Sequence, residues 1–379
     1  MKRLLVLLAL CLLLPVRTEA VELKVAGKSA LLMDVATGTV LHENNAHERL
    51  APASVTKVMT MLLIMEAVDS GKIALEDMVS ASETAAAKGG SQIFLKAGET
   101  MTVSDMLKSI AVSSANDCAC AMAEHIAGSE EAFVGMMNAR AKELGMTDTN
   151  FVNCTGLDDG ANAAEHRTSA HDIALMSREL LKNHPRIKDY TTIWMDTVRN
   201  GSFGLSNTNK LIRFYQGATG LKTGFTSGAG YCLSASAQRE GMELVAVVMG
   251  ADTSQNRNNA CKQLLDYGFA NFALISPELT EIHTVAVDLG KAPSVSPMLG
   301  GNAQLLIDKG QKNSVTTEVT LEDSVTAPVS RGQRLGTMTV KAGERILAEV
   351  PLVAAESVER LQFWDLFVVV LKRAAMAAG

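Results

Sequence analysis

"APASVTKVMT", residues 51–60, sets Ser54 three places before Lys57 and Pro52 two places before Ser54, with apolar residues running on behind. A proline that opens a helix and an apolar stretch closed by Gly71 predict a helix from residue 52. Residues i and i+3 of a helix are neighbours, so the Lys57 amine is brought beside the Ser54 hydroxyl. An exposed lysine is protonated at neutral pH and useless as a base. Flanked by Val55, Val58, Met59 and Leu62, Lys57 is a candidate for desolvation, which together with a second nearby cation lowers its pKa. A neutral amine there can take the serine proton and make a nucleophile. The helix start adds free N–H groups and positive potential at the serine. Taken alone, the pair has a plain alternative: two common surface residues.

Working outward, residues 29–44, "SALLMDVATGTVLHEN", read as two strands around a tight turn. "VSDMLKSIAVSSANDCACAMAEHIAG" reads as two helical runs broken at "SSAND", and residues 169–183 as an amphipathic helix. From about residue 221, "GLKTGFT", "GYCLSASAQ" and "MELVAVVMGA" predict an antiparallel meander, followed by a helix in "NNACKQLLDYGFANF". Strands early and late with helices between imply an α+β domain whose two ends share one sheet. After Pro277 short alternating strands follow one another without a helix, which predicts a separate small β domain over residues 278–355. The tail, residues 356–379, returns to a helical pattern with Leu361, Trp364, Phe367, Val368 and Leu371 on one face and Lys372–Arg373 near the end. Its unbroken apolar run, 366–371, is far short of the roughly 20 residues that span a bilayer, so the expectation is a helix lying in the membrane interface, with docking on the β domain as the alternative.

The chain of 379 residues is long enough for two domains, and 47% hydrophobic with 20% charged residues is a globular mix. A net charge of −6 gives no broad basic field for nucleic acid. Residues 1–20, "MKRLLVLLALCLLLPVRTEA", have two basic residues, an apolar core and a small-residue exit, the pattern of a secretory signal peptide. Five cysteines remain beyond it (Cys118, Cys120, Cys154, Cys232 and Cys261), an odd number that reads as buried thiols rather than a disulfide framework. His166 and His171 lie five apart, a spacing that does not stack on one helix face, so no metal is expected.

Two further triplets bear on Ser54 and Lys57. "SAN" at 114–116 sits at the helix break, where polar residues ordinarily cap the next helix; functionally Ser114 relays a proton and Asn116 binds a substrate amide. "KTG" at 222–224 enters a strand: Lys222 offers a cation and Thr223 a hydroxyl to a carboxylate, while Gly224 lets a peptide backbone approach a strand edge. "SQN" at Ser254 fits the loose S-x-N pattern equally well, so the middle triplet proves nothing alone. S-x-x-K, S-x-N and K-T-G in that order, spaced by 60 and 108 residues, resemble the active-site signature of the penicillin-recognising serine enzymes. "GSQIFLKAGETMTVSDMLKSIAVSSANDCACAMAEH", "NTNKLIRFYQGATGLKTGFTSGAGYCLSASA" and "MELVAVVMGADT" extend the resemblance, over residues 25–275, to the D-alanyl-D-alanine carboxypeptidases among the low-molecular-mass penicillin-binding proteins.

That resemblance implies a transpeptidase-like catalytic domain at 21–277, antiparallel sheet with helices on both faces. It also implies an exported enzyme at the outer face of the cytoplasmic membrane. Its substrate would be a peptidoglycan stem ending in D-Ala-D-Ala, its inhibitors β-lactams, and it would need no cofactor. Ser54 would attack the penultimate D-alanine, Lys57 serve as base, and Ser114 and Asn116 complete the proton network and hold the peptide. Lys222 and Thr223 would face the terminal carboxylate, with Arg257 loosely matched to an arginine near it. The backbone N–H groups of Ser54 and Phe225 would form the oxyanion hole, which asks nothing of the Phe225 side chain. Departures are Ala115, where relatives carry glycine, and Cys154, where proline is frequent. A β-lactamase is the nearest rival reading, but no E-x-x-L-N setting for a deacylating glutamate lies between Ser114 and Lys222. A non-catalytic penicillin-binding sensor is the other.

Overall fold

The structure, a computed structural model, describes residues 23–160, 162–279, 283–301, 303–365 and 367. The leader read at 1–20 and most of the tail helix, including Val368, Leu371 and Lys372–Arg373, lie outside them.

Five strands form the central antiparallel sheet: β1 Ser29–Asp34, β2 Val40–Asn44, β3 Ala218–Thr226, β4 Gly230–Arg239 and β5 Met242–Ala251, in the order β2-β1-β5-β4-β3. The two ends of the domain do share one sheet, and β3, which carries K-T-G, is an edge strand. Strand residues alternate between faces, and here both faces are buried. Leu31, Met33, Val245, Val247 and Met249 point into the main core with the helices, while Ala30, Leu32, Leu244, Ala246 and Val248 point into a second core under one long helix.

On the first face pack α1 Lys57–Asp69, α2 Val103–Ser113, α3 Asn116–Ala127, α4 Glu130–Glu143 and α5 Ala170–Asn183; on the second lies α6 Ser254–Asn271. α1 is not amphipathic: every residue from Lys57 to Met65 is buried, as in a helix enclosed on all sides. Replacing one of its large apolar residues, such as Leu62, by Ala costs about 2–5 kcal/mol. Three further helices start on side-chain caps, Thr102 for α2, Ser129 for α4 and Ser169 for α5, whereas α3 follows Ala115 without one. α6 begins four residues before the expected stretch because Thr253 Oγ1 accepts the Asn256 N–H, which leaves the second S-x-N triplet in an ordinary first turn.

Up to residue 361, the described residues of the C-terminal part form strands and loops with a short 3-10 stretch at Lys309–Ser314. A three-stranded sheet around Val285–Asp288 and a four-stranded sheet built on Arg334–Ala342 and Arg345–Ala354 each line a small core. Phe272–Ile275, directly after α6 and just before the expected boundary, pairs with Leu305–Asp308 beyond it, so a two-stranded ribbon ties the two sides of that boundary together. Residues 356–361 are not helical as expected. Val358 is buried and bridges Val329, Arg360 bridges Gly290, and Leu361 donates to the Leu289 carbonyl. Ladder bonds and a buried valine outweigh helix propensity there, and helix begins only at Phe363, after the Gln362 N–H meets Asp365. Among the described residues no helix is long and apolar enough to cross a membrane.

Candidate active site

Ser54 sits in a 3-10 turn, Ala53–Thr56, that feeds α1. The i, i+3 pairing holds for a tighter reason than expected, since a 3-10 turn eclipses those positions. Lys57 is fully buried; its Nζ lies 3.0 Å from Ser54 Oγ and donates to the Thr155 carbonyl at 2.8 Å. Burial pulls its pKa down to about 7, against the opposing pull of Cys154 and Asp117. Near neutral pH, therefore, a large share of this amine is uncharged.

The turn is shaped from behind. Ala53 has φ +49°, a left-handed value that costs a residue with a Cβ of order 1–3 kcal/mol. Its carbonyl is held by Thr56 Oγ1 at 2.8 Å, and Thr56 Oγ1 meets His166 Nε2 at 2.7 Å. His166 Nδ1 accepts the Val152 N–H at 3.0 Å, which places its proton on Nε2, pointing at Thr56. Burial, then Arg167 and Lys57, lower the imidazole to about 4, so it is neutral here. His171 is elsewhere, against the His47 ring and next to Asp172. Gly156, φ +82°, comes so close that a Cβ would sit 1.8 Å from the Ala53 carbonyl oxygen. Asn153 Oδ1 takes the N–H groups of Thr155 and Gly156 and thereby fixes the carbonyl that receives Lys57.

"SAN" spans the junction of α2 and α3. Ser114 is the left-handed residue between them, φ +64°, and is 3% exposed. Ala115 is buried in the main core. Asn116 opens α3: its amide donates to the Gly89 carbonyl at 2.7 Å, while its buried Oδ1 has no partner. Asp117 accepts the N–H groups of Ile93 and Leu95, tying the 89–95 loop to α3 beside Lys57.

β3 closes the other side. Lys222 is 1% exposed and donates to the Thr223 carbonyl at 2.9 Å. Burial first, then repulsion from Lys57 and Arg257, push its pKa well below the ordinary lysine range. Thr223 Oγ1 donates to Thr208 Oγ1 at 2.7 Å, and the Thr208 N–H reaches the Val112 carbonyl, which joins the strand to the end of α2 just before Ser114. Gly224 is buried, and a Cβ on it would lie 2.7 Å from the Pro52 carbonyl and 3.0 Å from the Ser54 nitrogen. The missing side chain therefore makes room for the Ser54 turn, a packing reason the edge-approach reading did not contain. Phe225 is half exposed and stacks on Tyr231, ring centroids 4.3 Å apart. Arg257, nearly buried, lies over the other ring partner, Tyr231, at 5.9 Å, with Nε and one terminal nitrogen on Asn258 Oδ1.

The fold thus gathers Ser54, Lys57, Lys222, Thr223, Gly224 and Arg257, with "SAN" joined through Thr208 and Asp117. Thr155, Asn153, Gly156 and His166 were not read as part of it. Their contribution is a backbone carbonyl, a tight turn and a capped hydroxyl, none of which leaves a spacing signature. Among the described residues, Cys118, Cys120, Cys154, Cys232 and Cys261 are all buried and free.

Comparison with known proteins agrees with this geometry. The family profile described as D-alanyl-D-alanine carboxypeptidase matches residues 16–253, and that of the penicillin-binding protein 5 C-terminal domain matches residues 278–360. The chain is 46% identical over 349 residues to the D-alanyl-D-alanine carboxypeptidase DacF of Bacillus subtilis, covering 90% of this chain and 88% of that one. Penicillin-binding protein 5 from Haemophilus influenzae superposes with a TM-score of 0.75 at 31% identity, over 89% of this chain and 98% of the other. Penicillin-Binding Protein D2 from Listeria monocytogenes, solved with ampicillin bound, superposes at 0.57 with 30% identity, over 65% and 98%. With the motifs assembled around one buried amine, and with matches over most of its length, the chain belongs to the D-alanyl-D-alanine carboxypeptidase family of low-molecular-mass penicillin-binding proteins.

Proposed function

We propose that this chain is a serine-type D-Ala-D-Ala carboxypeptidase that trims the terminal D-alanine from peptidoglycan stem peptides through an ester on Ser54. The observation that carries the reading is the Lys57 amine, fully buried, near half-deprotonated at neutral pH and 3.0 Å from Ser54 Oγ. Ser54 gives its proton to Lys57 as its oxygen bonds to the carbonyl carbon of the penultimate D-alanine. The charge that moves to the carbonyl oxygen is met by the N–H groups of Ser54 and Phe225. As the tetrahedral intermediate collapses, the C–N bond breaks and the departing D-alanine nitrogen takes the proton from Lys57 by way of Ser114. Water, deprotonated along the reverse path, then cleaves the ester. Asn116 Oδ1, buried and without a partner, is an acceptor for a peptide N–H. Lys222, Thr223 and Arg257 receive the terminal carboxylate; an anion arriving beside Lys222 offsets the repulsion that holds its pKa down. β-Lactams acylate the same oxygen.

The finer assignments belong to the same proposal. Residues 1–20 act as an export signal, residues 21–277 carry the chemistry, residues 278–355 form a small β-sandwich-like domain, and the tail lies in the outer face of the cytoplasmic membrane. Phe363, Trp364 and Phe367, all exposed, with the Trp364 ring edge-to-face against each phenylalanine, support that tail reading, because interfacial helices bury such rings among headgroups.

The test pairs fluorescent-penicillin labelling with D-alanine release from diacetyl-Lys-D-Ala-D-Ala, wild type beside Ser54→Ala, with the adduct located by mass spectrometry. We expect both activities in the wild type, neither in the variant, and the adduct on Ser54. An adduct elsewhere overturns the assignment. Label without D-alanine release identifies a binding module, and rapid turnover of the label a β-lactamase.

A further inference from the structure

Behind the site lies a cluster that the reaction does not use. Glu130, the first residue of α4, is half-buried. Its Oε1 accepts both the backbone N–H and the thiol of Cys154, each at 3.2 Å. Its Oε2 accepts the Lys88 ammonium and faces the Cys120 thiol at 3.8 Å. Each of the first two neighbours is one residue from the site. Cys154 precedes Thr155, whose carbonyl receives Lys57 Nζ at 2.8 Å. Lys88 precedes Gly89, whose carbonyl receives the Asn116 amide at 2.7 Å. The Cys154 carbonyl is itself bound by Thr60 Oγ1 on α1 at 2.6 Å.

We propose that Glu130 is a positioning residue for the general base: one carboxylate holds the Cys154 and Lys88 segments so that the Thr155 carbonyl is aimed at Lys57 and the Gly89 carbonyl at Asn116. The inference rests on the reading of Lys57 as base. A neutral amine has two N–H bonds and one lone pair, and committing an N–H to Thr155 O leaves the lone pair free to turn toward Ser54 Oγ. The Lys88 ammonium matches the carboxylate charge, so the hub stays ionised without drawing charge from the site. The groups that bear on Lys57 are Asp117, Cys154, Lys222 and His166. Those around Glu130 are Lys88, Cys120 and Cys154, with Glu124 beyond Cys120 and held by Ser82.

The experiment measures the acylation rate by a fluorescent penicillin from pH 5 to 9, and kcat and KM for D-alanine release. It uses the full chain as wild type, Glu130→Ala, Glu130→Gln and Glu130→Asp, with thermal unfolding alongside. Displacing a catalytic group by a fraction of an ångström to an ångström costs roughly 10- to 100-fold, and that loss is expected for Glu130→Ala, in kcat rather than KM, with the midpoint of the pH rise displaced. Gln keeps an oxygen for the Cys154 N–H and recovers most of the rate. Asp, one methylene short of both partners, shifts the midpoint even if the Ala variant fails to fold. Ala or Asp variants that fold and acylate within about twofold of wild type, or that are slow with an unmoved midpoint and no rescue by Gln, overturn the proposal. A wild type without a pH-dependent rise removes Lys57 as base, and this inference with it.

Discussion

Lys57 is a charge-bearing side chain buried at a cost. In the unfolded chain it stays protonated up to about pH 10.4, whereas in the folded protein it releases its proton at about 7. Between those values the unfolded state binds more protons, so stability rises with pH, and the penalty is complete below pH 7. Lys57→Met is expected to unfold several degrees higher than wild type at pH 6, with the advantage fading toward pH 10, when both are followed by circular dichroism. An advantage that does not shrink with pH would falsify burial of the charge as its cause. The same variant loses acylation by about 10²–10⁴-fold, the contribution of a positioned base. In the wild type the acylation rate climbs through pH 7 and levels above it, because only the neutral amine accepts the serine proton. His166 runs the same way at lower pH. Its folded value of about 4 lies under the ordinary 6.5, so its stabilising contribution is full above pH 6.5 and lost as pH falls toward 4.

β3 and the Ser54 turn are a matched pair of elements. Gly224 is where they touch, so Gly224→Ala drives a Cβ to 2.7 Å from the Pro52 carbonyl, where something must move. Strained insertions of this size cost about 1–3 kcal/mol. Displacing the Ser54 N–H is expected to slow penicillin acylation by about 10²-fold, read by labelling kinetics beside a melting curve. Wild-type labelling in a folded Gly224→Ala protein would sink the contact. Most elements were legible from period and punctuation: the meander at 218–251, the break at "SAN", and the helix capped by Ser169. The start of α6 was missed because its cap, Thr253, lies ahead of the apolar pattern.

Over the whole molecule, the described tail shows where sequence pattern yields to tertiary pairing. Leu361, Trp364 and Phe367 keep helical spacing, yet residues 356–361 are drawn into the β part by Val358 and the Arg360–Gly290 bridge. Two truncations should therefore differ. Ending the chain after Gln362 is expected to abolish sedimentation with anionic lipid vesicles while leaving the melting temperature and acylation rate unchanged. Ending it after Ala355 also removes the buried Val358 and lowers stability by about 1.5–3 kcal/mol. Undiminished vesicle binding by the first truncation would rule out the tail as anchor.

From residue order alone came the proposed nucleophile and its amine, the three motifs in register, the α+β domain with a β domain behind it, and the edge strand. All of these are carried by local spacing and period, which a linear string records. What only the tertiary structure decided is the setting of those groups: a carbonyl from residue 155 receiving Lys57, a neutral His166 behind the Ser54 turn, Lys222 buried within the repulsion of Lys57 and Arg257, and Glu130 reaching two loops at once. These are backbone acceptors, burial and close approaches between segments roughly 25 to 170 residues apart. They have no fixed sequence spacing, because they exist only once the chain has closed on itself.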